Sequence, residues 1–424
     1  MSDRKPVKTR RVSPTAAELY QVQPDYQRFN QKYNMTRRGM WEETGPEKSD
    51  KRRANFKRLA QSGSIGYSVI DWGFFVGARA NFESLGFNNN RPNWGGNSWQ
   101  ASPKLAKGGS LQPSASDERL YEKWQSSPEE ASWLVRKMGH RFGADLVGLC
   151  HLDRRWVYSH WFDQETRRDY PIVFSDEPGY ESYTMPTQLE DKTQVIPKEM
   201  KYVVVFLHEM GEDEIAAAPT LAAMAETQLA YSKLSFTAIA MAEFIRGLGY
   251  NAIPSANCTA LSVPLAIDAG LGQLGRNAKL INPLFGPRCR ISKVITDLPL
   301  AADIPIDLGV TEFCNQCQKC AQTCPTGAIP SGKQSFEPVN DCSNKGYLQW
   351  PVDHKKCSQY WAEVATNCGI CLRVCPFNKG RGKVHDVARW FIKNYRAADP
   401  LFVKLDDALG YGKYRPSNKL WYQS

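Results

Sequence analysis

The 424-residue sequence lacks long apolar runs and a recognisable export signal. No stretch approaches the roughly 18 consecutive apolar residues that a membrane span needs. The pair Arg10 and Arg11 is followed by "VSPTAAELYQVQPDYQ", which contains no apolar segment, so it does not form an export signal as it stands. We therefore expect a cytoplasmic protein, or a mature form whose signal has been removed. His208 stands in "HEM" without the second histidine of H-E-x-x-H, so we interpret it as a residue at the end of a strand.

Acidic residues are scarce relative to basic ones. The chain has 44 Asp and Glu against 54 Lys and Arg, a net charge of +10. Residues 1–60 contain 15 basic and 7 acidic side chains, so +8 of that excess lies in this segment. A basic arm can meet nucleic acid or an anionic membrane, but such runs more often form a solvated surface. We therefore expect a tail that wraps its own domain and no nucleic-acid partner.

Regular structure is predicted from about residue 128 onward, whereas residues 1–130 are polar, irregular and rich in aromatics. Ser127 is a suitable N-cap for a helix, and a long helix is expected from about Pro219 to Arg246 because glycines follow it. Strands are predicted in "ADLVGLCHL", "YVVVFLH" (202–208), "YNAIPS" and "RCRISKVITDL". Alternating helices and strands predict an α/β layer.

Nine of the twelve cysteines fall between Cys314 and Cys375, and eight of these nine form two motifs with metal-ligand spacing. The first motif is C-x2-C-x2-C-x3-C-P and the second is C-x10-C-x2-C-x3-C-P. In two-cluster ferredoxins, the cysteine before the proline ligates the other cluster. This crossed pattern predicts two [4Fe–4S] clusters, the first held by Cys314, Cys317, Cys320 and Cys375, and the second by Cys324, Cys357, Cys368 and Cys371.

Two alternatives remain open for the cysteines. A zinc site is disfavoured because zinc C-x2-C pairs lack the C-x3-C-P ending. Cys342 competes with Cys357 as a ligand, and Cys357 is preferred because it lies nearer to Cys368. Cys150, Cys258 and Cys289 have no partner spacing and are predicted to be buried thiols.

Clusters pass electrons but need another centre for carbon chemistry. Residues 249–294 are dense in small residues and hydrogen-bond donors, which suits a backbone that closely approaches a large flat or phosphate-bearing cofactor. "GLGQLG" is equally typical of a tight turn between packed elements, and it does not follow a strand as a Rossmann motif would. The candidate cofactor-binding residues are Asn257, Thr259, Ser262, Gly270, Gln273, Gly275, Arg276 and Asn277.

Several ordered motifs make a resemblance specific. They are "LGYNAIPSANCTALSVP", "GLGQLGRNAKLINPLFGPRCRISKV", "GVTEFCNQCQKCAQTCP", "CGICLRVCPFNKG" and "DDALGYG". Together they resemble the corrinoid- and iron–sulfur-dependent reductive dehalogenases of the tetrachloroethene type. The resemblance covers about residues 130–412 and is loose in the N-terminal third.

The resemblance implies an α/β (α+β) fold in four parts. These are an N-terminal arm and substrate-pocket lid (1–130), a nitroreductase-like cobamide-binding domain (131–310), a ferredoxin-like domain with two [4Fe–4S] clusters (311–380) and a C-terminal segment packed on the core (381–424). The cofactors implied are a cobamide, held without its lower base on cobalt, and the two clusters. None of the six histidines stands in D-x-H-x-x-G, so we expect no protein imidazole on cobalt.

The resemblance also implies catalytic roles for Tyr231, Asn257 and Arg290, with Tyr231 as the proton donor to the dehalogenated carbon. A guanidinium near a phenol would lower the pKa of that phenol. Thr227 and Tyr231 are four residues apart on a predicted helix and should share one face. Thr227 and Trp361 are the expected pocket walls, and the N-terminal aromatics Phe29, Tyr33, Trp94 and Trp99 are weaker candidates.

The implied activity is reduction of a small organohalide as the terminal step of organohalide respiration, with electrons from an external donor. Family members are held at the outer face of the cell membrane by a small membrane protein, and a homodimer is a further expectation. The alternatives are an epoxyqueuosine reductase acting on tRNA and a non-catalytic electron-transfer or corrinoid-binding protein. The missing helical-repeat extension and the Tyr–Asn–Arg matches disfavour the first alternative.

Overall fold

The computed structural model describes residues 10–11, 15–42, 45–68, 71, 75, 123–379, 383–395 and 398–413. Much of the predicted N-terminal arm and lid, including Trp94 and Trp99, lies outside these residues. The strands are β1 (Arg10–Arg11), β2 (Leu146–His151), β3 (His160–Asp163), β4 (Arg168–Phe174), β5 (Thr187–Gln188), β6 (Gln194–Ile196), β7 (Tyr202–Glu209), β8 (Ala252–Ser255), β9 (Gln273–Leu274), β10 (Leu280–Ile281), β11 (Cys289–Thr296) and β12 (Ile306–Asp307).

The helices surround these strands and supply most of the site-bearing segments. They are α1 (Ala16–Leu19), α2 (Met35–Trp41), α3 (Gly45–Gln61), α4 (Pro128–Arg141), α5 (Glu212–Ala216), α6 (Leu221–Gly247), α7 (Ser262–Asp268), α8 (Val310–Cys317), α9 (Lys319–Gln322), α10 (His354–Glu363), α11 (Ile370–Arg373), α12 (Lys383–Asn394) and α13 (Asp399–Ala408). Among the described residues, no helix is long and apolar enough to span a bilayer.

A four-stranded sheet in the order β2-β7-β11-β8 forms the centre of the molecule. Every pairing in it is antiparallel, which places the fold in the α+β division of the predicted class. A second sheet has the order β3-β4-β6-β5 and packs against the same core. Strand β7 is buried along six of its eight residues because helices cover both faces of the central sheet.

The two faces of the central sheet bury separate cores. On one face, side chains such as Val205, Leu207 and Ile291 pack against α7. On the other face, Val204, Phe206 and their neighbours pack against α4 and α6. Alternate residues of one strand therefore serve different cores, as the period of two requires.

The strands and helices predicted after residue 127 are confirmed, whereas the expectation of irregular structure before residue 128 is wrong, because α1, α2 and α3 lie there. Ser127 caps α4 by accepting a hydrogen bond from the Glu130 amide at 3.1 Å, and the helix begins at the following proline. Helix α6 spans 27 residues close to the predicted range. Thr227 and Tyr231 lie in its N-terminal half and face the same cavity as the cysteine-rich segment. This long helix therefore contacts both the central sheet and the site.

Candidate active site

A cavity of about 520 Å³ lies between α6, the β8–α7 loop, β11 and the cysteine-rich segment. We call it the large cavity. Its volume falls within the range of ordinary ligand sites. All five residues predicted for catalysis and for the substrate pocket line it. They are Thr227 and Tyr231 on α6, Asn257 on the β8–α7 loop, Arg290 on β11 and Trp361 on α10.

The hydroxyl of Tyr231 is held by an amide at the cavity wall. Asn257 Nδ2 donates a hydrogen bond to Tyr231 Oη at 2.7 Å. The Tyr231 oxygen is the acceptor in this contact, so this bond does not use the phenol proton. The role of Tyr231 as proton donor stays a prediction.

Arg290 lies beside the same phenol. Its guanidinium carbon is 5.6 Å from the centre of the Tyr231 ring. Its Nη2 donates to Thr227 Oγ1 at 3.5 Å, a weak contact, and its buried Nε has no hydrogen-bond partner among the described residues. The guanidinium is therefore placed to stabilise negative charge that develops on the phenol or in the cavity.

The predicted cofactor-binding residues separate into two groups. Asn257 and Asn277 line the large cavity, whereas Arg276 lines a second, smaller cavity that it shares with Asn277. The remaining five are absent from the described wall of either cavity, so their role as cofactor contacts stays a prediction: Thr259, Ser262, Gly270, Gln273 and Gly275.

The glycines of "GLGQLG" bring protein backbone close to protein backbone. A Cβ added at Gly272 would lie 2.4 Å from the carbonyl oxygen of Ile281, and one added at Gly270 would lie 2.6 Å from that of Ile304. Gln273 accepts a hydrogen bond from the Leu308 amide at 2.7 Å. These contacts are those of a tight turn between packed elements, which was the alternative interpretation of the motif.

The eight predicted ligand cysteines divide between the two cavities as the crossed pattern expects. The first quartet lines the small cavity and consists of Cys314, Cys317, Cys320 and Cys375. The second quartet lines the large cavity and consists of Cys324, Cys357, Cys368 and Cys371. Cys342 also lies at the large cavity, so its competition with Cys357 remains open.

Burial governs the thiols of both quartets. It raises the pKa of Cys317 and Cys371 to about 11, and that of Cys314 and Cys368 to about 12. Without a metal these thiols are protonated at neutral pH, so cluster binding would release protons. Among the described residues, no three metal-binding side chains converge on a single ion.

Cys324 is the exception among the ligand candidates. Burial raises its pKa, but hydrogen bonds from the amides of Ile329, Thr326 and Ala328 lower it, and the net shift is downward. The turn after Cys324 therefore presents several N–H groups to the sulfur. Such donors stabilise thiolates and tune iron–sulfur clusters.

Sequence reasoning missed the basic character of the large cavity. Arg37 from α2, Arg52 from α3 and Lys279 line it together with Arg290, and none of its described lining residues is acidic. No local signal in the sequence could have found these residues, because distant segments bring them together. His354 also lies at this wall, and burial lowers its pKa to about 4, so it is neutral near pH 7. The expectation that no imidazole binds cobalt stays a prediction.

The aromatic candidates in the N-terminal region have structural contacts. Phe29 is buried in the core beside β3, and its ring lies 6.1 Å from that of Tyr158. Tyr33 packs edge-on against Trp41 at 6.2 Å. Neither is among the residues that line the large cavity.

An α+β sheet domain joined to two cysteine quartets defines a two-cluster iron–sulfur protein. Residues 313–378 match the family model of the 4Fe-4S double cluster binding domain, and residues 53–300 match that of the "Reductive dehalogenase subunit". The chain belongs to the reductive dehalogenase family. The resemblance inferred from the motifs is thus confirmed.

Named relatives agree with this assignment. The tetrachloroethene reductive dehalogenase of Sulfurospirillum multivorans is 40% identical over 306 residues, which are 70% of this chain and 60% of that protein. The enzyme of the same name from Desulfitobacterium hafniense is 37% identical over 319 residues, 70% of this chain and 57% of that protein. The chain thus spans about 60% of the length of these relatives.

A solved structure supports the fold. The catabolic reductive dehalogenase NpRdhA matches with a TM-score of 0.68 and 25% identity, over 97% of this chain and 50% of that one. This match confirms the predicted fold class. Similarity to the epoxyqueuosine reductase of Bacillus anthracis is partial, at 33% identity over 117 residues, which are 26% of this chain and 28% of that protein.

Proposed function

We propose that this chain reductively removes halide from a small organohalide in the large cavity, with Tyr231 as the proton donor. One observation carries the proposal. The hydroxyl of Tyr231, its amide partner Asn257 and the guanidinium of Arg290 meet at the wall of the cavity that the second cysteine quartet also lines. A proton source and an electron source therefore face the same space.

We propose that the two quartets each hold one [4Fe–4S] cluster. Each quartet offers four cysteines around one cavity, which is the ligand number such a cluster takes. The second cluster would deliver electrons to the large cavity, and the first would receive them from an external donor. The grouping of cysteines by cavity supports these ligand sets.

A corrinoid is the expected cofactor between the second quartet and Tyr231. The cavity fits it in two respects: it joins the cluster site to the phenol, and its charged lining is basic, which suits the phosphate of a cobamide. Asn257, Asn277, Lys279 and Arg37 would hold it. When bound, the corrinoid supplies a strongly reducing cobalt centre for cleavage of the carbon–halogen bond.

The side chains of this chain would then perform three tasks. Tyr231 transfers its hydroxyl proton to the carbon that loses halide, and Asn257 keeps the phenol oxygen in place. Arg290 lies beside the ring and stabilises the negative charge that remains after the proton has left. Thr227 and Trp361 form walls of the substrate space.

We further propose the parts of the assembly that the family resemblance implies. They are the four-part division of the chain at residues 130, 310 and 380, a small membrane anchor protein as partner, a homodimer, and a location at the outer face of the cell membrane. Mass measurement of the native complex tests the anchor protein and the homodimer, and fractionation of cells tests the location, both separately from activity.

Replacement of one hydroxyl tests the proton donor. Tyr231→Phe should lower halide release by at least about 1,000-fold, because the acid is removed while the ring and its packing stay. Iron and cobalt content should be unchanged. Tyr170→Phe is the matched control, since the Tyr170 hydroxyl donates to Thr166 in an exposed position and lies outside the described wall of the large cavity. Full activity of Tyr231→Phe would remove Tyr231 from the mechanism.

A further inference from the structure

Lys293 is a buried ammonium at the centre of β11. It is fully inaccessible to solvent and stands opposite Val205 on β7 and Ser255 on β8. Its neighbours on the same face of β11, Ile291 and Ile295, belong to the apolar core against α7. A charged side chain interrupts this apolar row, although burying an ammonium is costly.

Two neutral oxygens accept hydrogen bonds from Lys293. Its Nζ donates to the carbonyl oxygen of Ala256 at 2.7 Å and to Ser262 Oγ at 2.9 Å. Burial lowers the pKa of Lys293 to about 8, so the ammonium form still predominates at neutral pH. The position retains an ammonium without a carboxylate bonded to it among the described residues.

These two oxygens mark the ends of one loop. Ala256 directly precedes Asn257, and Ser262 is the first residue of α7, so the ammonium links both ends of the 256–262 segment. Within this loop Thr259 has a φ of 64°, a left-handed conformation that is rare for threonine. Such a conformation persists only where surrounding contacts enforce it.

Other contacts hold the rest of the loop. Ser255 Oγ donates to the carbonyl oxygen of Cys258 at 2.5 Å, and the carbonyl of Thr259 accepts from the Tyr158 amide at 2.8 Å. The bond from Lys293 thus fixes the residue before Asn257, and the bond from Ser255 fixes the residue after it.

We propose that Lys293 is a positioning residue, which fixes the 256–262 loop from beneath so that the Asn257 amide stays bonded to the Tyr231 hydroxyl. This inference rests on the proposed role of Tyr231 in dehalogenation. Lys293 is not itself a lining residue of the large cavity, but it bonds Ala256, which is one, and it acts on the phenol through Asn257.

The test compares Lys293→Met, whose unbranched side chain is uncharged and one atom shorter, with the wild-type holoenzyme. We expect kcat for halide release to fall about tenfold, the cost of a misplaced hydrogen bond, while KM changes less than twofold. The alkaline limb of the kcat–pH profile should shift, because the phenol loses its amide partner. Ser262→Ala removes only the hydrogen bond between Lys293 and Ser262, and it should change kcat and the pH profile in the same direction by a smaller amount.

Two comparisons separate positioning from general destabilisation. In an Asn257→Ala background, Lys293→Met should cause no further loss of kcat, because its effect passes through that amide. Ile291→Val, a volume change on the same face of β11, should lower the melting temperature without moving the pH profile. Additive losses in the double variant, or wild-type kcat and pH profile in Lys293→Met, would overturn the inference.

Hydrogen exchange measured by mass spectrometry gives a readout independent of turnover. In Lys293→Met, amides of the 256–262 segment should exchange at least fivefold faster, whereas those of β7 should not change. Unchanged exchange in the segment contradicts the inference. If Tyr231→Phe retains activity, the proposed function fails, and this exchange result still decides whether Lys293 fixes the loop.

Discussion

The two cysteine quartets have matching spacing but different electrostatic surroundings. Around the first quartet, two lysines share one buried carboxylate: Lys319 Nζ lies 2.5 Å from Asp406 Oδ2, and Lys379 Nζ lies 2.8 Å from Asp406 Oδ1. Arg276 also lines that cavity, where it donates to backbone carbonyls. At the second quartet, Lys279 lines the cavity with the cysteines, and its charge favours the thiolates of Cys357 and Cys371. The lysines at the first site are thus paired with acid, whereas Lys279 forms no ion pair with the described residues.

This difference in nearby charge indicates that the second quartet is the one next to the proposed reaction. Lysines that are paired with a carboxylate add little net charge to the first site, which suits an electron relay. A lysine with no ion pair among the described residues, beside the second quartet, favours reduction of a cluster there, because it stabilises added negative charge. The direction of flow would then be from the first quartet to the second and on to the large cavity.

Removal of one ligand from each quartet should have the largest effects. Cys371→Ala should abolish halide release with any electron donor, since the second quartet faces the cavity. Cys314→Ala should abolish it with a protein donor but retain part of it with a small low-potential dye that can enter the large cavity. Each variant should lose about four of about eight iron atoms per chain. Equal loss with both donors would erase the distinction between the quartets.

The next prediction concerns the carboxylate of Asp406, which pairs with two lysines near the first quartet. Asp406→Asn removes the buried carboxylate that Lys319 and Lys379 share, although Lys319 keeps its pair with Asp407, and this loss should cost about 3 kcal/mol in the free energy of unfolding. The reduction potential of the first cluster should rise, because a negative charge is removed. Chemical denaturation and potentiometric EPR measure the two effects.

Asp407 provides the matched control for Asp406. It also pairs with Lys319, at 2.6 Å, but its side chain is 68% exposed. Asp407→Asn should therefore change stability by less than about 1 kcal/mol. If both variants behave alike, burial of the Asp406 pair is not what distinguishes the first site.

Lys279 gives the smallest expected effect. Lys279→Met should lower the reduction potential of the second cluster by about 30 to 90 mV and leave that of the first unchanged. Lys333→Met, a change at an exposed lysine outside the cavity wall, is the control and should alter neither potential. An unchanged second-cluster potential in Lys279→Met would show that the contrast between the sites has another origin.

Local spacing explains what the sequence could predict. The cysteine motifs place ligands through short fixed intervals, and Thr227 and Tyr231 share a helix face because they are four residues apart. Glycine spacing was less informative. Gly272 serves close approach to the backbone at Ile281, and the same residue type would suit a cofactor equally well.

Tertiary contacts explain what the sequence could not reveal. Arg37 and Arg52 reach the cavity from helices more than 150 residues before Tyr231, and no local pattern connects them with it. Lys293 did leave a signal, since the alternation in "RISKVI" puts it on the apolar face with Ile291 and Ile295. Recognising it required knowing that both faces of β11 are covered.

The central claim is that this chain couples electron uptake to loss of halide. The direct measurement is anaerobic titration of the purified holoenzyme with a low-potential reductant and chlorinated alkenes, counting chloride against electrons. Reductive replacement of chlorine by hydrogen predicts one chloride for every two electrons consumed, with Tyr231→Phe consuming none beyond reduction of its own centres. Reduction and reoxidation of the clusters without chloride release across the substrates offered would contradict the account.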